Sequence, residues 1–159
     1  MKRFFAFVAV IALSLVASGL LQAQSSPQMG TWKLNVAKSK YVGTQAPKSE
    51  TRTVEAQGAG AKYTYDGVAG DGSHIGYSFA SNYDGKETPI SGAGPNGANT
   101  ISIRRVNANT FKATLKKDGK VVLTTTSVVS SDGKVTTNTS KGTNAQGQPT
   151  SYTAVWDKQ

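Results

Sequence analysis

The sequence predicts an all-β protein, an antiparallel up-and-down β-barrel of about eight to ten strands. Apolar residues alternate with polar ones at every second position, which is the period of a strand with one buried face. Asp-Gly and Asn-Gly pairs separate the alternating runs, and such pairs supply the positive φ that tight hairpin turns need. Hairpin signals do not show whether a sheet closes, so a β-sandwich is the alternative fold.

The N-terminal segment predicts export. Met1–Arg3 is basic, the run from Phe4 to Leu21 is apolar, and Ala23 precedes a polar segment, which are the parts of a secretory signal. We therefore expect residues 1–23 to be a cleaved signal peptide, with residues 24–159 forming one β-barrel domain in the periplasm or outside the cell. A membrane anchor is the alternative for the apolar run.

The strands follow from the alternation. His74–Tyr83 places Tyr77 and Phe79 on one face, and Thr110–Lys116 places Phe111 and Leu115 on one face. Thr and Val are abundant in these runs, as is typical of strands. The predicted strands centre on Trp32, Arg52, Tyr63, Tyr77, Thr88, Ile103, Phe111, Leu123, Thr136 and Thr153.

The connections are mostly short. Tight turns are predicted at Asp84-Gly85-Lys86, Asp118-Gly119-Lys120 and Asp132-Gly133-Lys134, and further turns at Asn96-Gly97 and Gln146-Gly147. The only long connection is 35–49, which has room for one short helical turn within 36–41. The Gly-rich segment 91–98 predicts a wide loop, because Pro95 blocks a regular ladder.

The composition excludes several kinds of site. The chain has no cysteine and one histidine, which excludes disulfides, thiolate chemistry and multi-histidine metal sites. His74 follows a turn on the face opposite Tyr77, which predicts a surface histidine. No carboxylate pair or base–nucleophile pair has a recognisable inward spacing. We therefore predict no enzyme activity, no catalytic residue, no metal and no cofactor.

The charge predicts solubility rather than a nucleic-acid partner. The net charge is +9, from 18 Lys and Arg against 9 Asp and Glu, but the basic residues are scattered singly along the chain. Polar residues such as Lys112, Thr114 and Lys116 occupy the outward face, whereas a membrane barrel needs an apolar exterior. No stable membrane insertion is expected after signal cleavage. The sequence does not predict the oligomeric state.

A family resemblance supports the barrel. Gly30-Thr31-Trp32-Lys33-Leu34 resembles the Gly-x-Trp signature of lipocalins and the GTWKL start of fatty-acid-binding proteins, and 153–158 is similar to the last strand of the latter. The mature chain also resembles exported, uncharacterised bacterial proteins with a GTWKLN start. The resemblance implies a calycin-like barrel that holds a small apolar or amphipathic molecule.

Two departures from the family pattern concern the ligand. Fatty-acid-binding proteins place an Arg and a Tyr in the last strand to hold a carboxylate, and the matching positions here are Ala154 and Trp156. Their helix pair does not fit into 35–49. Lipocalins pack a late basic residue over the signature Trp, and Lys158 is the candidate for that position. The resemblance therefore implies the fold more than a fatty-acid ligand.

The candidate ligand-binding residues are Arg105 and an aromatic set. Arg105 alternates with Ile101 and Ile103, which predicts an inward guanidinium that could hold a carboxylate or phosphate. The alternatives are that the strand ends at Ile103 and leaves Arg105 exposed, or that Arg105 stacks on Trp32. The aromatic candidates, which can line an apolar cavity or orient a polar head group, are Tyr77, Phe79, Tyr63 and Tyr65.

Three further side chains have structural predictions. Trp32 is expected to plug one end of the barrel, and Trp156 is expected to lie in the core. Arg52 shares its face with Val54 and is inward if that register is correct.

The predicted function is that of an exported, soluble β-barrel that binds a small apolar or amphipathic ligand without chemistry. The alternative is a structural or protein-interaction domain whose interior is packed solid. Small residues are frequent inside the strands, so the sequence leaves the interior volume open.

Overall fold

A computed structural model describes residues 26–159, and the predicted signal peptide, residues 1–23, lies outside the described residues. The chain forms one antiparallel sheet with twelve strands. Two short 3₁₀ turns lie at Val36–Lys38 and Pro95–Gly97. Among residues 26–159, no helix is long and apolar enough to cross a membrane. The strands in chain order are β1 (Gly30–Leu34), β2 (Lys40–Val42), β3 (Ser49–Gln57), β4 (Gly60–Val68), β5 (His74–Ser81), β6 (Asp84–Pro89), β7 (Ser91–Gly92), β8 (Thr100–Arg105), β9 (Thr110–Lys117), β10 (Lys120–Val129), β11 (Val135–Thr143) and β12 (Pro149–Lys158).

The sheet curls into a nearly closed up-and-down barrel. From β8 to β12 each strand pairs with the next, β12 returns to pair with β1, and the order continues through β3, β4 and β5. The path ends at β6 and β7, which are separated in the chain only by Ile90. Since β6 pairs with β8 and β7 pairs with β5, the continuous segment that contains β6 and β7 joins the two edges of the sheet. The predicted barrel is therefore confirmed, and the alternative β-sandwich is not the fold.

The junction between β5 and β6 is held by a side chain. No ladder joins these two strands in the described sheet. The Thr88 hydroxyl in β6 donates a hydrogen bond to the Ala80 carbonyl in β5 over 2.7 Å. One hydroxyl here occupies the place that backbone hydrogen bonds take elsewhere in the barrel.

Every predicted strand is present, and two short ones were not expected. The connection 35–49 contains both the predicted helical turn, at Val36–Lys38, and β2. The predicted wide loop 91–98 begins with β7. Both extra strands are too short to show an alternating pattern in the sequence. Each forms by pairing with part of a longer strand, β2 with β12 and β7 with β5.

One predicted turn is wrong. Asp84 and Gly85 lie in β6 instead of forming a tight hairpin between paired strands. The chain reverses just before them, where Tyr83 has a φ of 60°. The register of β6 on β8 shifts between Asp84 and Glu87, so Gly85, with a φ of 80°, belongs to an irregular stretch of β6. Asp118-Gly119, in contrast, is the predicted hairpin, with φ of 49° and 81°.

Trp32 closes one end of the barrel, as predicted. Its side chain is fully buried, and its Nε1 donates a hydrogen bond to the Gln28 carbonyl over 2.8 Å. Lys158 Nζ lies 5.2 Å from the Trp32 ring centroid, so Lys158 is the late basic residue over the signature tryptophan. Arg52 lies on the same ring, with its guanidinium carbon 5.2 Å from the centroid.

We predict that Trp32→Ala lowers the free energy of unfolding by about 3–5 kcal/mol, because it leaves a large cavity and an unpaired Gln28 carbonyl. Trp32→Phe should give a smaller loss of the same sign if the alanine variant fails to fold. Urea denaturation measures both. The control is Val121→Ala, at a side chain that is 54% exposed, for which we expect a change within about 0.5 kcal/mol. Equal changes in the free energy of unfolding for Trp32→Ala and Val121→Ala would contradict the conclusion that Trp32 closes the barrel end.

Candidate functional site

The barrel interior contains a cavity of about 410 Å³. This volume lies within the roughly 300–1,000 Å³ range of small-molecule sites. Side chains from nearly every long strand line it, so the cavity belongs to the interior rather than to a surface groove. The interior is hollow, and the solidly packed barrel of the alternative hypothesis is not what the structure shows.

The mouth of the cavity lies at the end opposite Trp32. The connections that contribute lining residues are 43–48, 69–73 and 93–98. His74 stands at this rim, exposed as the sequence predicted, with its Nε2 2.8 Å from Asp66 Oδ1.

One wall of the cavity is apolar and is built by β8 and β9. Ile101 in β8 pairs with Leu115 in β9, and Ile103 pairs with Ala113 in the same ladder. Phe111 follows on the same face of β9. Alternation on two paired strands therefore gives one continuous apolar surface.

The predicted aromatic candidates line the cavity from β4 and β5, the strands that follow β3 in the sheet. Tyr63 pairs with Phe79 and Tyr65 pairs with Tyr77 across the β4–β5 ladder. The rings of each pair stack, with centroids 4.9 Å apart for Tyr63 and Phe79 and 4.4 Å apart for Tyr65 and Tyr77. All four side chains line the cavity. Their predicted role in contacting a ligand remains a prediction.

The phenols differ in what they offer. The Tyr63 hydroxyl donates a hydrogen bond to Gln28 Oε1 over 2.6 Å and lies 2.9 Å from the Tyr83 hydroxyl, so the chain itself engages it. Burial raises the pKa of both Tyr65 and Tyr77 above the usual value. These phenols therefore stay protonated at neutral pH, and a protonated phenol can donate to an anionic or carbonyl oxygen.

Arg105 does not line the cavity. The side chain sits at the closed end of the barrel, where β8 stops and the chain turns back. Its Nε donates to the Asn107 carbonyl over 3.2 Å and its Nη2 donates to the Ala108 carbonyl over 2.9 Å. Its guanidinium carbon lies 5.6 Å from the Phe111 ring rather than over Trp32. The predicted strand is present, but Arg105 is its last residue and its guanidinium turns back onto the carbonyls that follow, so the inward guanidinium predicted there is corrected.

Arg52 is the arginine that reaches the cavity. It lies in the middle of β3, is only 1% exposed, and lines the cavity. Its guanidinium carbon lies between two indole rings, 5.2 Å from the Trp32 centroid and 5.0 Å from the Trp156 centroid. Its Nε and Nη2 have no hydrogen-bond partner within residues 26–159. A buried cation held this way still needs an acceptor.

Glu50 faces the cavity two residues before Arg52. Burial raises the pKa of its carboxyl from 4.5 to about 7, although the positive charge of Arg52 opposes this shift. Within the described chain, no carboxylate lies within 4.0 Å of the Arg52 guanidinium. The two groups share a face without forming a direct ion pair.

Two neutral polar groups complete this wall. Asn138 in β11 and Trp156 in β12 line the cavity, and both Asn138 Oδ1 and Trp156 Nε1 are buried without a hydrogen-bond partner among the described residues. In the same part of the chain, no three His, Asp or Glu side chains come together as a metal site would require. The wall can recognise a polar group by hydrogen bonds and charge.

Sequence reasoning missed Arg52 and Glu50 as site residues. The alternation of β3 could have indicated them, because Glu50, Arg52 and Val54 occupy every second position and therefore share one face of the strand. Arg105 also falls on the inward-facing positions of its strand, β8. The two arginines differ in their distance from the strand end, and the alternating pattern does not show where a strand ends.

The fold is that of a calycin-like barrel. The structure is similar to the crystal structure of zebrafish ileal bile acid-binding protein complexed with cholic acid, with a TM-score of 0.50 and 13% sequence identity, over 84% of this chain and 100% of that chain. No family model matches the sequence, and no curated protein matches it significantly. At this identity the likeness shows the fold, as the Gly30-x-Trp32 start predicted.

We predict that the free energy of unfolding falls as the pH rises towards the pKa of Glu50 in the folded protein. A carboxyl whose pKa is raised from 4.5 to about 7 by folding favours the folded state when neutral. Its contribution is complete below pH 4.5 and is lost by pH 8, which amounts to about 3 kcal/mol. Urea denaturation between pH 5 and 8 should show this slope in the natural protein and a flatter profile in Glu50→Gln. The matched control is Glu55→Gln at an exposed position of β3, which should keep the slope. A flat profile for the natural protein would contradict the raised pKa.

Proposed function

We propose that the protein binds one small amphipathic molecule inside the barrel and does not convert it. The observation that carries this proposal is the division of the cavity into an apolar wall on β8 and β9 and a polar wall centred on Arg52 in β3. The strand order places β9 across the barrel from β3. A molecule with one polar end and an apolar body matches both walls at once.

The arrangement of side chains supports binding over catalysis. Glu50 is the only carboxylate among the described residues that line the cavity. His74 lies at the rim and is already hydrogen-bonded to Asp66. Within residues 26–159, no pair of carboxylates lines the cavity, and at the rim His74 is bonded to Asp66 while the neighbouring Ser73 hydroxyl is bonded to Asp71, so the usual arrangements for hydrolysis or group transfer are not formed there.

The structural likeness is consistent with this proposal. The similar zebrafish protein was crystallised with cholic acid, a small amphipathic molecule. The present cavity and its polar wall, rather than that likeness, carry the ligand class proposed for this chain. We also propose that the protein acts after export, in the periplasm or outside the cell, on the basis of the signal-like residues 1–23.

We predict that filling the cavity weakens binding. Ala113 lines the apolar wall, and Ala113→Phe should weaken binding of the neutral fluorescent probe N-phenyl-1-naphthylamine at least tenfold, because the ring occupies the space that the probe needs. Fluorescence titration measures the dissociation constants. The matched control is Lys112→Phe, which adds a ring on the exposed outer face of the same strand and should leave the affinity unchanged. Equal affinities for Ala113→Phe and the natural protein would refute cavity binding.

We predict that the exported protein begins at Gln24. If residues 1–23 are a signal peptide, intact-mass measurement of the protein from its own host should give the mass of residues 24–159. Cell fractionation should place this species outside the cytoplasm. A chain that retains Met1 and remains in the membrane fraction would favour the anchor instead.

A further inference from the structure

The polar wall contains two ionisable groups that belong to one strand. Glu50 and Arg52 alternate on β3, so their side chains share the inward face and begin about 7 Å apart. Both line the cavity, and Arg52 is fixed between the Trp32 and Trp156 rings. Within the described chain no carboxylate lies within 4.0 Å of the guanidinium, and both side chains line the cavity, so a ligand's polar group that reaches Arg52 also comes near Glu50.

Among the described residues that line the cavity away from its rim, Arg52 is the only permanently charged side chain near Glu50. Four phenols interact with it electrostatically, one from each of four strands, and all stay protonated at neutral pH because burial raises their pKa values. These phenols and the one cation belong to Tyr41, Tyr65, Tyr77, Tyr152 and Arg52. His74 also lines the cavity, but it lies at the rim beside Asp66, so the charge of the polar wall itself is set by Glu50 and Arg52.

We propose that Glu50 competes with the anionic head group of the ligand for Arg52, so that the cavity takes singly charged amphiphilic anions and releases them when Glu50 loses its proton. This inference rests on the proposed binding function and names its ligand class. When Glu50 is neutral, the wall carries one uncompensated positive charge, which one anionic group neutralises. When Glu50 is ionised, the wall is already neutral, and a bound anion would face a second negative charge.

The direction of the pH dependence follows from linkage. A bound anion makes ionisation of Glu50 harder, so binding is accompanied by proton uptake above the pKa of about 7 in the free protein. The affinity for an anion should be constant below pH 6 and should fall by about tenfold between pH 6 and 8. A neutral ligand should show no such change.

Two fluorescent probes with the same ring system test this. 1-Anilinonaphthalene-8-sulfonate carries a sulfonate that stays ionised throughout the range, and N-phenyl-1-naphthylamine lacks it. Dissociation constants are measured for both probes at pH values from 5.5 to 8.5, at constant ionic strength. Displacement of the anionic probe by the neutral one shows that both occupy the cavity.

In the natural protein we expect the anionic probe to lose about tenfold in affinity from pH 6 to 8 while the neutral probe does not change. Glu50→Gln should remove this loss, and Glu55→Gln, on the same strand but exposed, should retain it. Arg52→Met should weaken binding of the anionic probe more than binding of the neutral probe. If Arg52→Met does not fold, the comparison of Glu50→Gln with Glu55→Gln still decides the matter.

A pH dependence that is the same in Glu50→Gln and in the natural protein would overturn the role of Glu50. Equal affinities of the two probes at pH 6 would overturn the anionic ligand class while leaving the proposed binding function intact. If neither probe binds the natural protein, the proposed function itself fails.

Discussion

The structure depends on one buried cation. Arg52 lies in the barrel interior, where an unpaired charge is costly, and two indole rings stabilise it through cation–π contacts. Trp32 is its direct neighbour across the β1–β3 ladder, and Trp156 reaches it from β12, on the far side of β1. The contact therefore ties together three consecutive strands, in the region where the last strand of the chain meets the first.

The polar side of the interior lies around the same charge. Phenols from β2, β4, β5 and β12 and the Glu50 carboxyl line the cavity near Arg52, whereas β8 and β9, across the barrel from β3, present only apolar side chains to it. Burial keeps the phenols protonated and raises the pKa of Glu50 to about 7. Arg52 thus marks the polar wall of the cavity, and under the proposed function the division into two walls orients the ligand.

Much of the barrel is predictable from local sequence. Alternation located each long strand, and Asp118-Gly119 marked a hairpin because its positive φ values are a local property. The exception, Asp84-Gly85, and the short strand β7 both lie at the junction where the sheet closes. Closure depends on which strands meet, as where β1 pairs with β12 and where the Thr88 hydroxyl replaces a ladder between β6 and β5, and the alternation does not contain these pairings. The aromatic lining was predictable from the alternation along β4 and β5. To choose between Arg52 and Arg105 as the inward arginine, one must know where β3 and β8 end.

Native mass spectrometry of the protein, purified under mild conditions from its own host, is the sharpest test of a barrel that holds an anionic amphiphile. We expect a species heavier than the bare chain by one small molecule, which carries an acidic group and an apolar body when it is released and identified. A protein that appears only at the mass of the bare chain, under conditions that preserve noncovalent complexes, would contradict it.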